Sequence, residues 1–129
     1  GVQTCALPIF AKIPVPDVEV QGCADDADLL IVGFGGTYGH LYSAMEEMNK
    51  AGKKVALAHF TYLNPLPKNT EAVLKKYKKV VVAEQNLGQF AGYLRMKIDN
   101  FTPYQFNEVK GQPFVVAELV AAFNKLIDN

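Results

Sequence analysis

Cysteine is scarce in this chain, and neither sign of charge is in excess. The two cysteines, Cys5 and Cys23, form no CxxC pair and no spacing that suits zinc or an iron–sulfur cluster. Thirteen basic residues balance thirteen acidic ones, which removes the simple electrostatic case for nucleic acid or an anionic membrane as a partner. No apolar run approaches the roughly 18 residues that suggest a membrane span. A reducing cytoplasm is therefore the expected location.

Length and hydrophobic content indicate one domain. Half of the 129 residues are hydrophobic. A chain of that size buries roughly two-thirds of its unfolded surface, which is enough for a core without metal or disulfide support. Residues 1–10 lack the basic start and the small-residue cleavage site of a signal peptide, and they show no helix or strand period. We interpret residues 1–14 as an upstream linker or non-native segment and residues 15–129 as the domain.

Several stretches have the patterns typical of β-strands. Residues 15–22 alternate apolar and polar side chains, which predicts a half-buried edge strand. An unbroken short apolar run predicts a strand covered on both faces at residues 29–33, and further buried strands are predicted at residues 54–60 and 79–83. A weaker alternation predicts a last strand around residues 104–109.

Apolar residues at helical spacing fill the intervals between these strands. One helix is expected to begin near Thr37 and end at Gly52, and a short helix has Asn69 as its expected cap. Two further helices carry apolar faces that start at Phe90 and Val116. Such alternation implies right-handed crossovers, so we predict an α/β fold: a three-layer, mostly parallel open sheet of about five strands with four helices. Any ligand or partner is expected at the carboxyl ends of the strands.

A glycine-rich loop follows the first buried strand. A dinucleotide-binding fingerprint reads G-x-G-x-x-G, and counted from Gly33 the sixth position is Tyr38. The next strand ends in His59 and Phe60, where an acid would hold a ribose, and the chain has no Walker lysine. The glycines therefore indicate a tight turn with close helix–strand packing. Backbone N–H groups at a helix start can still meet a phosphate or carboxylate, which leaves a candidate anion-binding loop at Gly35, Gly36 and Thr37.

The loop at residues 62–67 is stiff, because two prolines fix their own φ and restrict the residues before them. It can present Tyr62, Leu63 and Leu66 as a rigid apolar surface for a partner. Equally, these side chains can cover the domain's own sheet. Both interpretations stay open.

Polar residues cluster directly after the third buried strand, at Glu84, Asn86 and Gln89. A carboxylate there can form an ion pair, cap the next helix or act in acid–base chemistry. No His or Cys accompanies it in sequence, so a structural or interface role is favoured over catalysis. His59 ends a buried strand and is interpreted as a hydrogen-bonded core or interface residue. The sequence contains no nucleophile triad or metal site.

Several motifs together resemble one protein family. In α subunits of 2-oxoglutarate:ferredoxin oxidoreductases the same order and spacing is found for DADLLIVGFGGTYG (26–39), YLNPLP (62–67), EQNLGQ (84–89) and the segment with GQPF and VAEL (111–119). The resemblance covers about residues 15–127. The departures are mild, because Phe34 stands where tryptophan is usual and Gly36 where serine is common.

The resemblance implies a domain like the C-terminal domain of transketolase, with a five-stranded sheet and one antiparallel edge strand. The whole enzyme would oxidise a 2-oxoacid with coenzyme A to an acyl-CoA, CO2 and reduced ferredoxin, using thiamine diphosphate, Mg²⁺ and iron–sulfur clusters. Those cofactors would lie chiefly in the β subunit, so this domain is expected to hold no cofactor, no metal and no catalytic residue. It is expected to contact the β subunit and a second α subunit through Tyr62, Leu63, Asn64, Glu84, Asn86 and Gln89.

Two alternatives stay open. A related enzyme acting on pyruvate or a branched-chain 2-oxoacid would have the same domain, because the residues that select the substrate side chain are expected elsewhere. A stand-alone regulatory module that binds a nucleotide or CoA is the other, and it predicts a monomer stabilised by that ligand. The start at Gly1 does not resemble natural initiation, which favours a fragment.

Overall fold

A computed structural model of the chain describes residues 15–63, 66–85, 87–108 and 113–128. The strands within these ranges are β1 (Val20–Gly22), β2 (Leu29–Phe34), β3 (Val55–Phe60), β4 (Val80–Glu84) and β5 (Tyr104–Asn107). The α-helices are α1 (Tyr38–Lys50), α2 (Thr70–Lys76), α3 (Gln89–Lys97) and α4 (Val116–Asp128), and a 3₁₀ turn at Gly35–Thr37 precedes α1. No helix among the described residues is both long and apolar enough to cross a membrane.

The strands form one sheet in the order β1-β3-β2-β4-β5. The edge strand β1 runs antiparallel to β3, with Val20 opposite Ala58, whereas the β2–β3, β2–β4 and β4–β5 pairs are parallel. This confirms the predicted mostly parallel sheet with one antiparallel edge strand. The edge strand is shorter than its alternating pattern indicates, because only residues 20–22 of the 15–22 stretch pair with β3.

Two apolar clusters cover the two faces of the sheet. One packs α2 and α3 against residues such as Leu30, Val32 and Val82, and the other packs α1 and α4 against Leu29, Ile31 and Val81. Because β2 and β4 lie inside the sheet with helices on both sides, their unbroken apolar runs are fully explained by burial on both faces.

Gly33 confirms the close helix–strand packing expected of the glycine-rich loop. A Cβ placed on Gly33 would lie 2.2 Å from Cδ1 of Leu41, a fully buried residue of α1. A side chain at this position would therefore force the buried Leu41 side chain out of its place against β2.

Asn69 does not cap α2, so that prediction is wrong. Its side-chain oxygen accepts the Val18 N–H at 2.9 Å, and its side-chain amide donates to the Val18 carbonyl at 2.9 Å. The hydroxyl of Thr70, the first residue of α2, donates to the Pro67 carbonyl at 2.6 Å. The Asn69 amide thus ties the start of α2 to the extended segment before β1, where a two-way bond to the backbone replaces the local cap.

Candidate functional site

The ends of the parallel strands place the candidate residues along one edge of the sheet. Strands β2, β3 and β4 lead there into the 35–37 turn, the loop that starts at Thr61 and the turn after Glu84. The antiparallel β1 starts at the same edge, because Val20 pairs with Ala58 near the end of β3. Residues 16–19 therefore join these loops, and we call this assembly the carboxyl edge.

Contacts between aromatic rings join the start of α3 to the ends of two strands at the carboxyl edge. Phe90, in the first turn of α3, packs its ring against Phe34 at the end of β2, with centroids 4.6 Å apart. It also meets Phe60 at the end of β3, at 5.6 Å. Both contacts fall within the range in which tilted aromatic pairs attract one another. One helix start is thus packed against the ends of two strands.

Glu84 caps a helix from the end of a strand. Its side chain is fully buried, and its two oxygens accept the backbone N–H groups of Phe90 at 2.9 Å and Ala91 at 3.0 Å. The residue before α3, Gly88, has a φ of 96° and no side chain with which to cap. A carboxylate at a helix N-terminus also interacts favourably with the helix dipole. Capping is therefore the role that the structure shows for Glu84.

Burial of Glu84 corrects its place among the interface candidates. Since its exposed fraction is 0%, a partner cannot touch its side chain in this fold. Glu84 instead positions the start of α3, where Gln89 is the exposed first residue. Asn86 lies outside the described residues, and its interface role stays a prediction.

Each of the two interpretations of the loop after β3, cover for the domain's own sheet and contact surface for a partner, fits some of its residues. Leu63 and Leu66 are half-buried and pack on the apolar cluster beneath α2 and α3. The Leu63 carbonyl also accepts the hydroxyl of Tyr93, on α3, at 2.7 Å. The Tyr62 side chain stays 46% exposed. The two leucines therefore cover the domain's own sheet, whereas Tyr62 faces outward; Asn64 lies outside the described residues.

Two exposed apolar residues at this edge were missed from the sequence. Leu87 is 78% exposed in the turn after β4, and Tyr38 is 38% exposed at the start of α1. A leucine among the polar residues of EQNLGQ is a signal that could have identified Leu87. Tyr38 lies within the glycine-rich loop, whose glycine pattern indicates a role for the backbone rather than for a side chain.

A groove of about 280 Å³ opens beside Tyr38 and Tyr62, and His59 lines it between them. The Tyr38 hydroxyl donates to Oε1 of Gln21 at 2.9 Å, and its ring meets the His59 ring edge-on at 5.1 Å. His59 Nε2 lies 2.9 Å from the Gly35 carbonyl oxygen. Because a carbonyl oxygen only accepts, Nε2 of His59 is the donor in this hydrogen bond. The expectation of a hydrogen-bonded His59 is confirmed.

The candidate anion-binding loop is more restricted than its sequence indicates. Gly35 and Gly36 are exposed, but Thr37 is buried and its hydroxyl donates to the Phe34 carbonyl at 3.0 Å. The Thr37 hydroxyl hydrogen is therefore committed to the chain itself. Only the glycine backbone is open to an anion, and anion binding stays a prediction.

The described residues do not fit a metal or cluster site. Within residues 15–63, 66–85, 87–108 and 113–128, no three His, Cys, Asp or Glu side chains come together in a way that could hold a metal ion. Cys23 is half-buried, and its Sγ lies 3.7 Å from Oδ1 of Asn49, an amide that also bonds both backbone groups of Val55.

Comparison with known proteins identifies relatives over nearly the whole domain. Residues 27–117 match the family model for pyruvate:ferredoxin oxidoreductase core domain II. The 2-oxoglutarate oxidoreductase subunit KorA of Mycobacterium tuberculosis is 44% identical over 109 residues, which is 83% of this chain and 16% of that protein. The α subunit of 2-oxoacid:ferredoxin oxidoreductase 2 from Aeropyrum pernix is 27% identical over 122 residues, or 93% of this chain and 19% of that protein. The chain thus spans less than a fifth of the length of these curated relatives.

Solved structures share the fold. The 2-oxoglutarate:ferredoxin oxidoreductase of Magnetococcus marinus, solved with 2-oxoglutarate, coenzyme A and succinyl-CoA bound, superposes with a TM-score of 0.81 at 28% identity, covering 97% of this chain and 21% of that one. An inactive split-gene transketolase tetramer matches with a TM-score of 0.64 at 15% identity, over 85% of this chain and 41% of its own. The second likeness concerns the fold alone, and it agrees with the expected transketolase-like architecture.

Proposed function

The chain belongs to the pyruvate:ferredoxin oxidoreductase core domain II family, and on that premise we propose that it is the transketolase C-terminal-like domain of the α subunit of a 2-oxoglutarate:ferredoxin oxidoreductase. The observation that carries the proposal is the 44% identity, over 83% of this chain, to a relative named for 2-oxoglutarate. In this assignment residues 15–129 form the domain, and residues 1–14 are an upstream linker or non-native segment.

The proposed whole enzyme converts a 2-oxoacid and coenzyme A to acyl-CoA and CO2 and reduces ferredoxin in the cytoplasm. Thiamine diphosphate, Mg²⁺ and iron–sulfur clusters supply the carbanion and electron-transfer chemistry, and they bind outside this domain. The role of this domain is then structural: the domain packs against the other parts of the complex and holds them in place.

The carboxyl edge is the proposed contact surface with the β subunit and a second α subunit. It presents Tyr62, Leu87 and Gln89 on loops that Glu84 and the phenylalanine rings hold in position. Exposed aromatic and aliphatic side chains on ordered loops are typical of interfaces. A stable interface needs roughly 1,000 Å² of buried area, so neighbouring surface must contribute as well.

Pyruvate is the second candidate substrate, because the matching family model is described by that 2-oxoacid. Nothing in the carboxyl edge selects between the two acids. The Aeropyrum pernix relatives, named only for 2-oxoacids, leave a broader substrate range open as well.

Turnover by the full complex tests the proposed activity. The full-length subunit that contains this chain is purified with its β subunit, and CoA-dependent reduction of ferredoxin is followed with 2-oxoglutarate, pyruvate or a branched-chain 2-oxoacid. The proposal expects kcat/KM to be highest for 2-oxoglutarate. A preference for pyruvate would move the assignment to the second candidate, and no turnover with any 2-oxoacid would contradict both.

A further inference from the structure

The groove beside Tyr38 and Tyr62 has a chemistry that the proposed function does not use. It lies between the segment before β1, the end of β3 and the start of α1, and it is lined by Asp17, Glu19, Tyr38, His59 and Tyr62, among others. We call it the tyrosine groove. Its volume of about 280 Å³ falls just below the 300–1,000 Å³ typical of sites for small molecules and cofactors. It suits one long side chain better than a cofactor.

Aromatic rings form its walls, and one of them is held in place. Tyr38 is fixed by its hydrogen bond to Gln21 and by its edge contact with His59. The Tyr62 ring is 46% exposed, on a loop whose next carbonyl is bonded to Tyr93 of α3. Tyrosine faces attract a cation within about 6 Å of the ring centroid. Because the Tyr38 ring also stacks on Tyr42, with centroids 5.7 Å apart, the exposed Tyr62 ring is the aromatic wall that can meet a positive group.

The charge of the groove also favours a positive occupant. Asp17 and Glu19 are exposed, and neither pairs with a lysine or arginine among the described residues. No lysine or arginine lines the groove in the described part of the chain. Two uncompensated carboxylates repel phosphates and other carboxylates. They favour a cation as the occupant.

We propose that the tyrosine groove receives an arginine side chain of the partner β subunit, and this inference rests on the proposed function, in which the domain assembles with that subunit. Arginine is the matching residue because its planar guanidinium stacks on aromatic rings while it donates in a fork to a carboxylate. Arginine anchored in a pocket is also a common hot spot of protein–protein interfaces. The carboxylates of the tyrosine groove would thereby select a partner that places an arginine beside the exposed Tyr62.

Neutralising the carboxylates tests the proposal in the full-length α subunit. The double variant Asp17→Asn/Glu19→Gln keeps side-chain size and removes two negative charges. The control Glu47→Gln/Glu118→Gln makes the same change in net charge at exposed positions on α1 and α4. Association with the wild-type β subunit is measured by calorimetry between about 50 and 500 mM salt, a range over which exposed charges become screened.

The expected result is a Kd about tenfold higher for the Asp17/Glu19 variant at low salt, with a flatter salt dependence. The control is expected to match the wild type. Tyr62→Leu, which keeps apolar area but removes the aromatic face, should also weaken binding, whereas Tyr62→Phe should not. A Kd and salt dependence equal to the control's would overturn the arginine assignment.

The same series separates failure of this inference from failure of the proposed interface. If Tyr62→Ala weakens association while the Asp17/Glu19 variant does not, the carboxyl edge is an interface and the tyrosine groove takes no arginine. If neither variant changes association, both the inference and the interface role are wrong.

Discussion

The carboxylate of Glu84, the last residue of β4, accepts the backbone N–H of Phe90, in the first turn of α3, at 2.9 Å. Its other oxygen accepts the next N–H, from Ala91, at 3.0 Å. A strand therefore supplies the cap of the helix that follows it. This fixes the start of α3 relative to β4, and with it a part of the proposed contact surface.

Replacing Glu84 tests this cap. Glu84→Ala leaves two buried N–H groups without acceptors and should lower the free energy of unfolding by about 3 kcal/mol. Glu84→Gln keeps one good acceptor and should cost about half as much. Urea unfolding followed by circular dichroism measures both. Equal stability of the alanine variant and the wild type would mean that the carboxylate does not serve as the cap.

Gly33 and Gly36 provide a matched pair for the packing of α1. Gly33→Ala should cost about 1–3 kcal/mol, because its Cβ would overlap the buried side chain of Leu41. Gly36→Ala should be close to neutral, since a Cβ there would meet nothing within 4 Å. Thermal unfolding of the two variants compares them directly. Similar losses at both positions would contradict the close contact between β2 and α1.

Substitutions of Asn69 test whether its side chain caps α2 or instead holds the backbone of Val18. Serine is a good helix cap, so Asn69→Ser should be nearly neutral if capping of α2 were the role of this residue. Because the Asn69 amide bonds both backbone groups of Val18, we instead expect Asn69→Ser and Asn69→Ala to cost about the same, roughly 1–3 kcal/mol. Chemical denaturation distinguishes the two outcomes.

Tyr77 should make stability depend on alkaline pH. Burial raises the pKa of the Tyr77 hydroxyl above its usual value of 10, the nearby Asp25 raises it further, and the hydroxyl donates to the Ala24 carbonyl. Because the folded state favours the protonated form, this stabilisation is complete below pH 10 and is lost as pH rises through the folded pKa. Tyr77→Phe should lose about 1 kcal/mol at pH 7 from the missing hydrogen bond.

Comparison of wild type and Tyr77→Phe isolates that tyrosine from the lysines that titrate in the same range. Above pH 10 the stability of the wild type should fall more steeply than that of the variant, so the two curves converge. Parallel curves up to pH 11.5 would show that Tyr77 titrates no differently in the folded and unfolded states.

Local patterns were enough to predict the strands and most helices. The runs of apolar residues in β2, β3 and β4 place these strands to within a residue or two, because burial on both faces favours apolar side chains. The alternation before Gly22 likewise indicated the edge strand β1. These signals lie within each segment and need no knowledge of its neighbours.

Contacts between distant segments account for the errors. Asn69 has the sequence context of a cap, but its partner Val18 lies 51 residues away and outcompetes the local bond. The tyrosine groove combines residues from three separate segments, which no motif brings together. Glu84 was expected to have a structural or interface role, and its burial, which removes it from the contact surface, depends on the packing of α3.

The central claim, that the carboxyl edge holds the α subunit to its partner, is tested most directly by one comparison of tyrosines. The two variants are Tyr62→Ala at the carboxyl edge and Tyr104→Ala at the first residue of β5, on the opposite side of the sheet from that edge. The two side chains are almost equally exposed, at 46% and 45%. Association of each full-length variant with the β subunit is measured together with 2-oxoacid turnover. We predict that Tyr62→Ala raises Kd about tenfold or more, whereas Tyr104→Ala leaves it unchanged. Unchanged assembly and turnover in the Tyr62 variant would contradict the account.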